Sequence, residues 1–288
     1  MKKIINWYVC LVICSCLTIA APGFAADCMT LKKSLKAERN FKKKREILSS
    51  AIIQCPDDPI INYKYGLSLE RFKKYEKALG HYQKAASVEP KMAKAYAGMG
   101  DVYIYLGLLD DAVEAYQHAV NLRPDNDRHR NRLERLVIKR KALLGKAVTA
   151  GGFIKVMSHR GKISNNMSLL LIGPALQYQI AFSGDTDSLE PLGQRQIEAI
   201  GQAMRNDALK DIRFEVSVHA DSELSSKAAL EISRKRAMVL QEKFIADFQI
   251  DPKRIEVSWY GDAHPLGTGN VADGFVANQR VEFKRIIE

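Results

Sequence analysis

Three kinds of hydrophobic pattern divide the chain. The first is an apolar run from Ile4 to Ala21, broken by Asn6, Ser15, Thr18 and small residues, with Lys2 and Lys3 ahead of it and Pro22-Gly23-Phe24-Ala25-Ala26 behind. A charged start, an apolar stretch and small residues at Gly23 and Ala25 predict a secretory signal over residues 1–25. The second pattern, from about residue 28 to residue 144, has helical spacing. Gly66, Tyr75, Ala78, Tyr82, Ala85 and Pro90 recur 34 positions later as Gly100, Leu109, Ala112, Tyr116, Ala119 and Pro124. The third pattern is alternation. Leu176, Tyr178, Ile180 and Phe182 share one face of a strand, and Ser183 to Asp187 read as a turn. A helix from about Glu190 to Asn206 carries Leu192, Ile197, Ile200 and Met204, and a second strand alternates Ile212, Phe214, Val216 and Val218. A long helix shows Leu230, Ala237, Leu240 and Phe244 along one stripe; Ile255, Val257 and Trp259 mark a third strand, Val281 and Phe283 a fourth. That order predicts an α+β sandwich with helices on one face of a mixed sheet. Between the second and third patterns, Gly151-Gly152 and Ser158-His159-Arg160-Gly161 predict a linker over 145–172, with Ile154, Val156 and Met157 fitting either a short helix or a strand.

The 34-residue period resembles the tetratricopeptide (TPR) repeat, with repeats about 59–92 and 93–126. Glycine and alanine sit where antiparallel helices approach closely, Tyr82 and Tyr116 fill the space between hairpins, and Pro90 and Pro124 end the second helices. Asn62 stands where the family favours tryptophan, and Lys73 where the second repeat has Gly107. The same register places a degenerate hairpin at 28–55 and a charged capping helix at 127–144, giving a solenoid domain over 26–144. In such a hairpin the start of the first helix lies beside the end of the second, so a Cys28–Cys55 disulfide is expected, in keeping with export to an oxidising compartment. The resemblance implies that the first helix of each pair lines a concave wall that holds a protein segment. Here that wall carries Tyr63, Leu67, Arg71, Lys94, Asp101 and Tyr105; a spacer or dimer face is the alternative.

The segment from Gly173 onward resembles the OmpA-like peptidoglycan-binding domain, a βαβαββ fold, assigned here to 173–288. Ile232-Ser233 and Arg236-Ala237 meet the family's helix motif, Asp221 its aspartate after the second strand, Gly261 its turn, and Asn278, Arg280, Val281 and Glu282 its closing run. The resemblance implies that Asp221 and Arg236, with Ser233 and Asn278 as further candidates, hold the diaminopimelate of a peptidoglycan stem peptide. Diaminopimelate offers an ammonium and a carboxylate, which call for one anion and one forked cation. The chain departs from the family at Ala220, Leu224, Ala229 and Gln279, all around the pocket rather than in the sheet core.

Charge adds direction without naming a partner: 44 Lys+Arg against 33 Asp+Glu give a net charge of +11, which suits anionic surroundings. The six histidines show no metal spacing, and neither Cys28 nor Cys55 belongs to a Cys-x-x-Cys pair, so no metal or other cofactor is expected. The leading expectation is a non-catalytic periplasmic adaptor of a Gram-negative envelope that binds peptidoglycan and a protein segment, not nucleic acid. Attachment to the outer membrane stays open, Cys16 of Ile13-Cys14-Ser15-Cys16 being loosely placed for lipidation. The alternatives are an assembly scaffold of an envelope, secretion or motility complex that no longer binds glycan, and a wall hydrolase built on His219 and Asp221.

Overall fold

The computed structural model describes residues 24–159, 167–220, 225–264 and 279–286. The expected signal, including Cys16, lies outside the described residues up to residue 23. The chain divides into two compact units, 1–56 and 57–288.

In the first unit, α1 (Phe24–Ala37) and α2 (Phe41–Gln54) form a hairpin. Asn40 caps α2 by accepting from the amides of Lys42 and Lys43, which satisfies donors that a helix start leaves open. Cys28 and Cys55 are joined by a disulfide, their Cα atoms 5.9 Å apart, tying the start of α1 to the residue after α2.

The second unit opens with two hairpins: α3 (Pro59–Arg71) with α4 (Tyr75–Val88), and α5 (Ala93–Leu106) with α6 (Leu109–Leu122). Their close approach depends on glycine. A Cβ at Gly100 would stand 2.5 Å from the Tyr116 ring, and one at Gly98 would stand 2.7 Å from the Tyr82 ring. Where the family favours tryptophan, Asn62 is buried in a polar pairing instead, its Oδ1 3.0 Å from His81 Nδ1 and its Nδ2 donating to Asp58 O. Both first helices end in the same reversal. The Leu108 amide donates to Tyr103 O with Gly107 at φ 80°, and the Lys74 amide donates to Leu69 O with Lys73 at φ 57°. Glycine takes that left-handed turn freely, whereas a lysine there is strained.

Helix α7 (Asp127–Leu143) begins 34 residues after α5 and packs on α6. Gly145, at φ 65°, closes it, and the stretch expected to be linker then holds α8 (Ala150–Met157) and α9 (Met167–Ile172). Helix α8 is part of the main core. Phe153 meets Phe283 edge-on at 5.7 Å and Phe214 at 6.1 Å, while Val156 and Met157 are fully buried beside it. Thr149 caps the helix, so two glycines in its first turn do not prevent it forming.

The sheet follows as β1 (Ala175–Tyr178), α10 (Pro191–Arg205), β2 (Phe214–His219), α11 (Ser226–Ala246), β3 (Ile255–Gly261) and β4 (Arg280–Arg285). Strand order is β1-β4-β2-β3, with β4 antiparallel to both neighbours and β2 parallel to β3. This is the expected βαβαββ order. One face, carrying Leu176, Tyr178, Val216, Val218, Val281 and Phe283, is packed in a core shared with α8, α10 and α11. β1 is shorter than the alternation to Phe182 suggests, because the Gln179 amide turns to Ala142 O at the end of α7. Gln196 of α10 fixes that corner by accepting from the Ala181 amide and donating to Gly145 O and Gln179 O.

Replacing Lys73 by glycine is expected to stabilise the protein by about 1 kcal/mol, and Gly100→Ala to destabilise it by about 1–3 kcal/mol. Urea midpoints of the two variants against wild type measure both; a neutral Lys73→Gly would contradict the strain assigned to that turn.

Candidate functional site

The carboxyl end of β2 meets the inner face of α11, and there the structure places Arg236. Its side chain is 2% exposed. Nε donates to Thr186 O at 2.9 Å, Nη2 to Gly184 O at 2.6 Å and Nη1 to Gln279 Oε1 at 3.3 Å, while the guanidinium lies 4.6 Å from the centre of the Phe182 ring. The turn that offers these carbonyls is held by its own bonds: the Ser183 amide donates to Ser188 O, and the Thr186 amide and hydroxyl both donate to Ser183 O. Burial lowers the Arg236 pKa from its ordinary value, and Asp185 and Asp187 oppose that shift; an arginine so placed stays charged at neutral pH. A cavity of about 10 Å³, room for roughly one water, lies between Phe182, His219, Arg236, Gln279 and Arg280.

Ser233, the second helix-motif residue, has a holding role. Its hydroxyl donates to Leu230 O at 2.8 Å and accepts from the Gly261 amide at 3.0 Å, and Gly261 O in turn accepts from the Ala220 amide. Gly261 stands at φ 54°, where a Cβ would lie 2.9 Å from the Leu230 nitrogen, so only glycine fits. These bonds pin the end of β2, the end of β3 and the first turns of α11 together. Asp221 follows directly on Ala220; it, Leu224 and Asn278 lie outside the described residues.

The second face of the sheet carries a polar cluster that sequence reading missed. Glu282 is 4% exposed and accepts from Arg280 Nε at 2.8 Å and Gln177 Nε2 at 3.0 Å, with Lys284 Nζ 2.9 Å away. Burial alone would raise its pKa, but Arg280 and Lys284 outweigh that and hold it at about 2. His219, equally buried, stacks on Tyr260 at 5.2 Å, and neither ring nitrogen has a hydrogen-bond partner among the described residues. Burial, then the charge of Arg280, lowers its pKa to about 4. The alternation of Arg280, Glu282 and Lys284 along β4 was the available signal, and alternation of that kind also describes a solvated face.

In the repeats, the six wall positions fall on two neighbouring first helices. Lys94 Nζ lies 4.8 Å over the Tyr63 ring, so α3 and α5 are in direct contact there. Asp101 accepts from the Tyr116 hydroxyl at 2.7 Å and pairs with Arg132 of α7 at 3.2 Å. Tyr105 stacks on Tyr75 at 4.7 Å and remains 37% exposed. Leu67 packs on the Ala78–Tyr82–Val102 cluster, and Arg71 ends α3. A cavity of about 360 Å³ opens at the starts of α5 and α7, where Lys91, Lys94 and Arg123 face a single acid, Glu89.

Residues 71–136 match the tetratricopeptide repeat family and residues 181–279 the OmpA family. The chain is thus a TPR-like helical region followed by an OmpA-like domain. Among curated proteins, the small glutamine-rich tetratricopeptide repeat-containing protein 2 of Mycosarcoma maydis is 28% identical over 102 residues, which span 33% of this chain and 29% of that protein. Similar solved structures include the Sgt2 TPR domain from Aspergillus fumigatus (22% identity, TM-score 0.36, 40% of this chain and 80% of that one). Another is the cell wall anchor of the T6SS from Pseudomonas aeruginosa (21% identity, TM-score 0.33, 40% of this chain and 81% of that one). An OmpA-like domain points to peptidoglycan association and TPR repeats to protein–protein interaction; both are typically non-catalytic binding domains. Among the described residues, no group of three or more His, Cys, Asp or Glu side chains could hold a metal ion, and no helix is long and apolar enough to cross a membrane.

The two shifted pKa values make stability depend on acid. Folded His219 stays neutral down to about pH 4, whereas unfolded histidine binds a proton near 6.5, so its contribution is complete above 6.5 and is lost as pH falls towards 4. Glu282 adds a further loss between pH 4.5 and about 2. From pH 7 to pH 4.5, wild type is expected to lose about 2 kcal/mol more stability than His219→Gln, read from urea midpoints. Equal losses would contradict the buried, neutral imidazole.

Proposed function

We propose that this protein is a periplasmic adaptor of a Gram-negative envelope. Its OmpA-like domain grips the diaminopimelate of a peptidoglycan stem peptide, and its TPR array holds a segment of a protein partner. Residues 1–25 serve as its export signal on this reading, and outer-membrane association is compatible with it. The observation that carries the wall-binding half is the fixed guanidinium of Arg236. Three of its five N–H donors are engaged by described residues, which orients the fork before any ligand arrives. Asp221, next after the Ala220 that Gly261 pins, would accept from the ligand's ammonium while Arg236 takes its carboxylate.

The second reading, an assembly scaffold without glycan binding, draws on the same bonds. A guanidinium that donates to Gly184 O and Thr186 O also acts as a brace for the turn. The hydrolase reading gains little from His219, whose ring is buried and stacked on Tyr260.

Retention on purified sacculi separates the three. The adaptor reading expects wild type to co-sediment, and Arg236→Ala and Asp221→Asn each to weaken retention at least tenfold. Asp221→Asn serves as the control for any loss of the turn in Arg236→Ala. A wild type that stays in solution favours the scaffold, and soluble muropeptides released from the sacculi would mark a hydrolase.

A further inference from the structure

The partner-facing row of the repeats has a third member. Arg71 and Tyr105 are 34 residues apart, and the residue 34 beyond Tyr105 is Lys139 of α7. Unlike the other two, Lys139 is buried, at 3% exposure. Its Nζ donates to Leu170 O at 2.5 Å and to Gly173 O at 2.8 Å. Leu170 O lies in the last turn of α9 and Gly173 O just beyond it, where a helix leaves acceptors without intrahelical partners and favours a cation.

Helix α9 reaches that place by lying against α5. Leu171 is buried in one cluster with Ala97 and Ile104 of α5 and Leu133 and Leu136 of α7, and Ile172 packs on the same cluster. The first helices that would take a partner's segment thus already hold a segment of the chain itself. The fit combines a short apolar turn with backbone acceptors delivered to one lysine.

This occupant is weakly tied. Six residues are too few to stay helical without the surface beneath them. Docking also strips an ammonium of water, a cost that two carbonyl bonds only offset. Burial, with Arg135 and Arg132 nearby, presses the Lys139 pKa well below its ordinary 10.5, so undocking α9 relieves a strained charge.

We infer that α9 is a built-in competitor for the TPR wall: a protein partner binds by displacing α9 with a short apolar helical turn whose terminal carbonyls or carboxylate meet Lys139. This rests on the reading of the array as a protein-binding surface. A segment tethered in the same chain acts at an effective concentration on the order of millimolar, so an outside ligand must be tighter, or more concentrated, than that to enter.

The test uses a fluorescein-labelled peptide of residues 167–175 and the full mature chain, followed by fluorescence anisotropy. Wild type is expected to bind the peptide poorly and Leu171→Asp, which expels the in-chain segment, at least tenfold more tightly. Adding Lys139→Met to Leu171→Asp should return binding to the wild-type level. A second chain with residues 167–172 replaced by Gly and Ser gives the same comparison without a buried aspartate. If neither altered chain binds the peptide more tightly than wild type, the inference is overturned. Because the probe is the chain's own segment, that failure would leave the adaptor reading standing.

Discussion

A single buried guanidinium holds the carboxyl end of β2 in one arrangement. Arg236 connects α11 to the turn after β1 through Gly184 O and Thr186 O, to Gln279 ahead of β4, and to the Phe182 ring. No other side chain presents planar donors in several directions from one centre, so a lysine would reach one of these acceptors and leave the rest unsatisfied in a buried place. The turn is braced because Arg236 takes two of its carbonyls, and Arg236 stays oriented because the turn is closed by its own bonds. On the proposed function, that mutual constraint is what prepares a carboxylate site; on the scaffold reading, it is the whole purpose of the residue.

A second constraint ties the repeats to the sheet. Phe153 of α8 sits among Phe214 and Phe283, and the Tyr178 hydroxyl accepts from the Val148 amide and donates to Lys146 O. Ala142 of α7 belongs to the same core as Val216 and Val281. The helical array and the sheet consequently share side chains, and a change at the end of α7 is felt directly in the sheet. The Cys28–Cys55 hairpin stands as a unit of its own, closed by its covalent link.

Local signals made much of this legible from sequence. The 34-residue period, its paired glycines and tyrosines and its closing prolines report contacts within and between adjacent hairpins, which the structure realises at Gly100–Tyr116 and Gly98–Tyr82. The alternating runs mark the strands at 214–219 and 255–261 because each turns its apolar positions, Phe214, Val216 and Val218 or Ile255, Val257 and Trp259, to the shared core. Joint residues 145–172 were harder. Gly151 and Gly152 carry a breaker's composition, and what makes α8 a helix is the distant Phe214 and Phe283, which no local pattern names. The same holds for Lys139, whose place among arginines reads as a solvated face until α9 covers it. Arg280, Glu282 and His219 were hidden by the opposite effect: their alternation is that of an exposed strand face, and only their mutual pairing shows them buried. The helix motif points Ser233 towards a ligand, while its hydroxyl is occupied in holding Gly261 to α11. Asp221 and Asn278 lie outside the described residues, so the acidic half of the proposed clasp rests on sequence.

The central claim is that Arg236 recognises a carboxylate that distinguishes one stem-peptide residue from another. Calorimetric titration with two soluble muropeptides, one containing diaminopimelate and one containing lysine at the same position, isolates that single group. The account predicts binding of the diaminopimelate form and at least tenfold weaker binding of the lysine form, with the difference abolished in Arg236→Ala. Equal affinity for both, or no measurable binding of either, would contradict it.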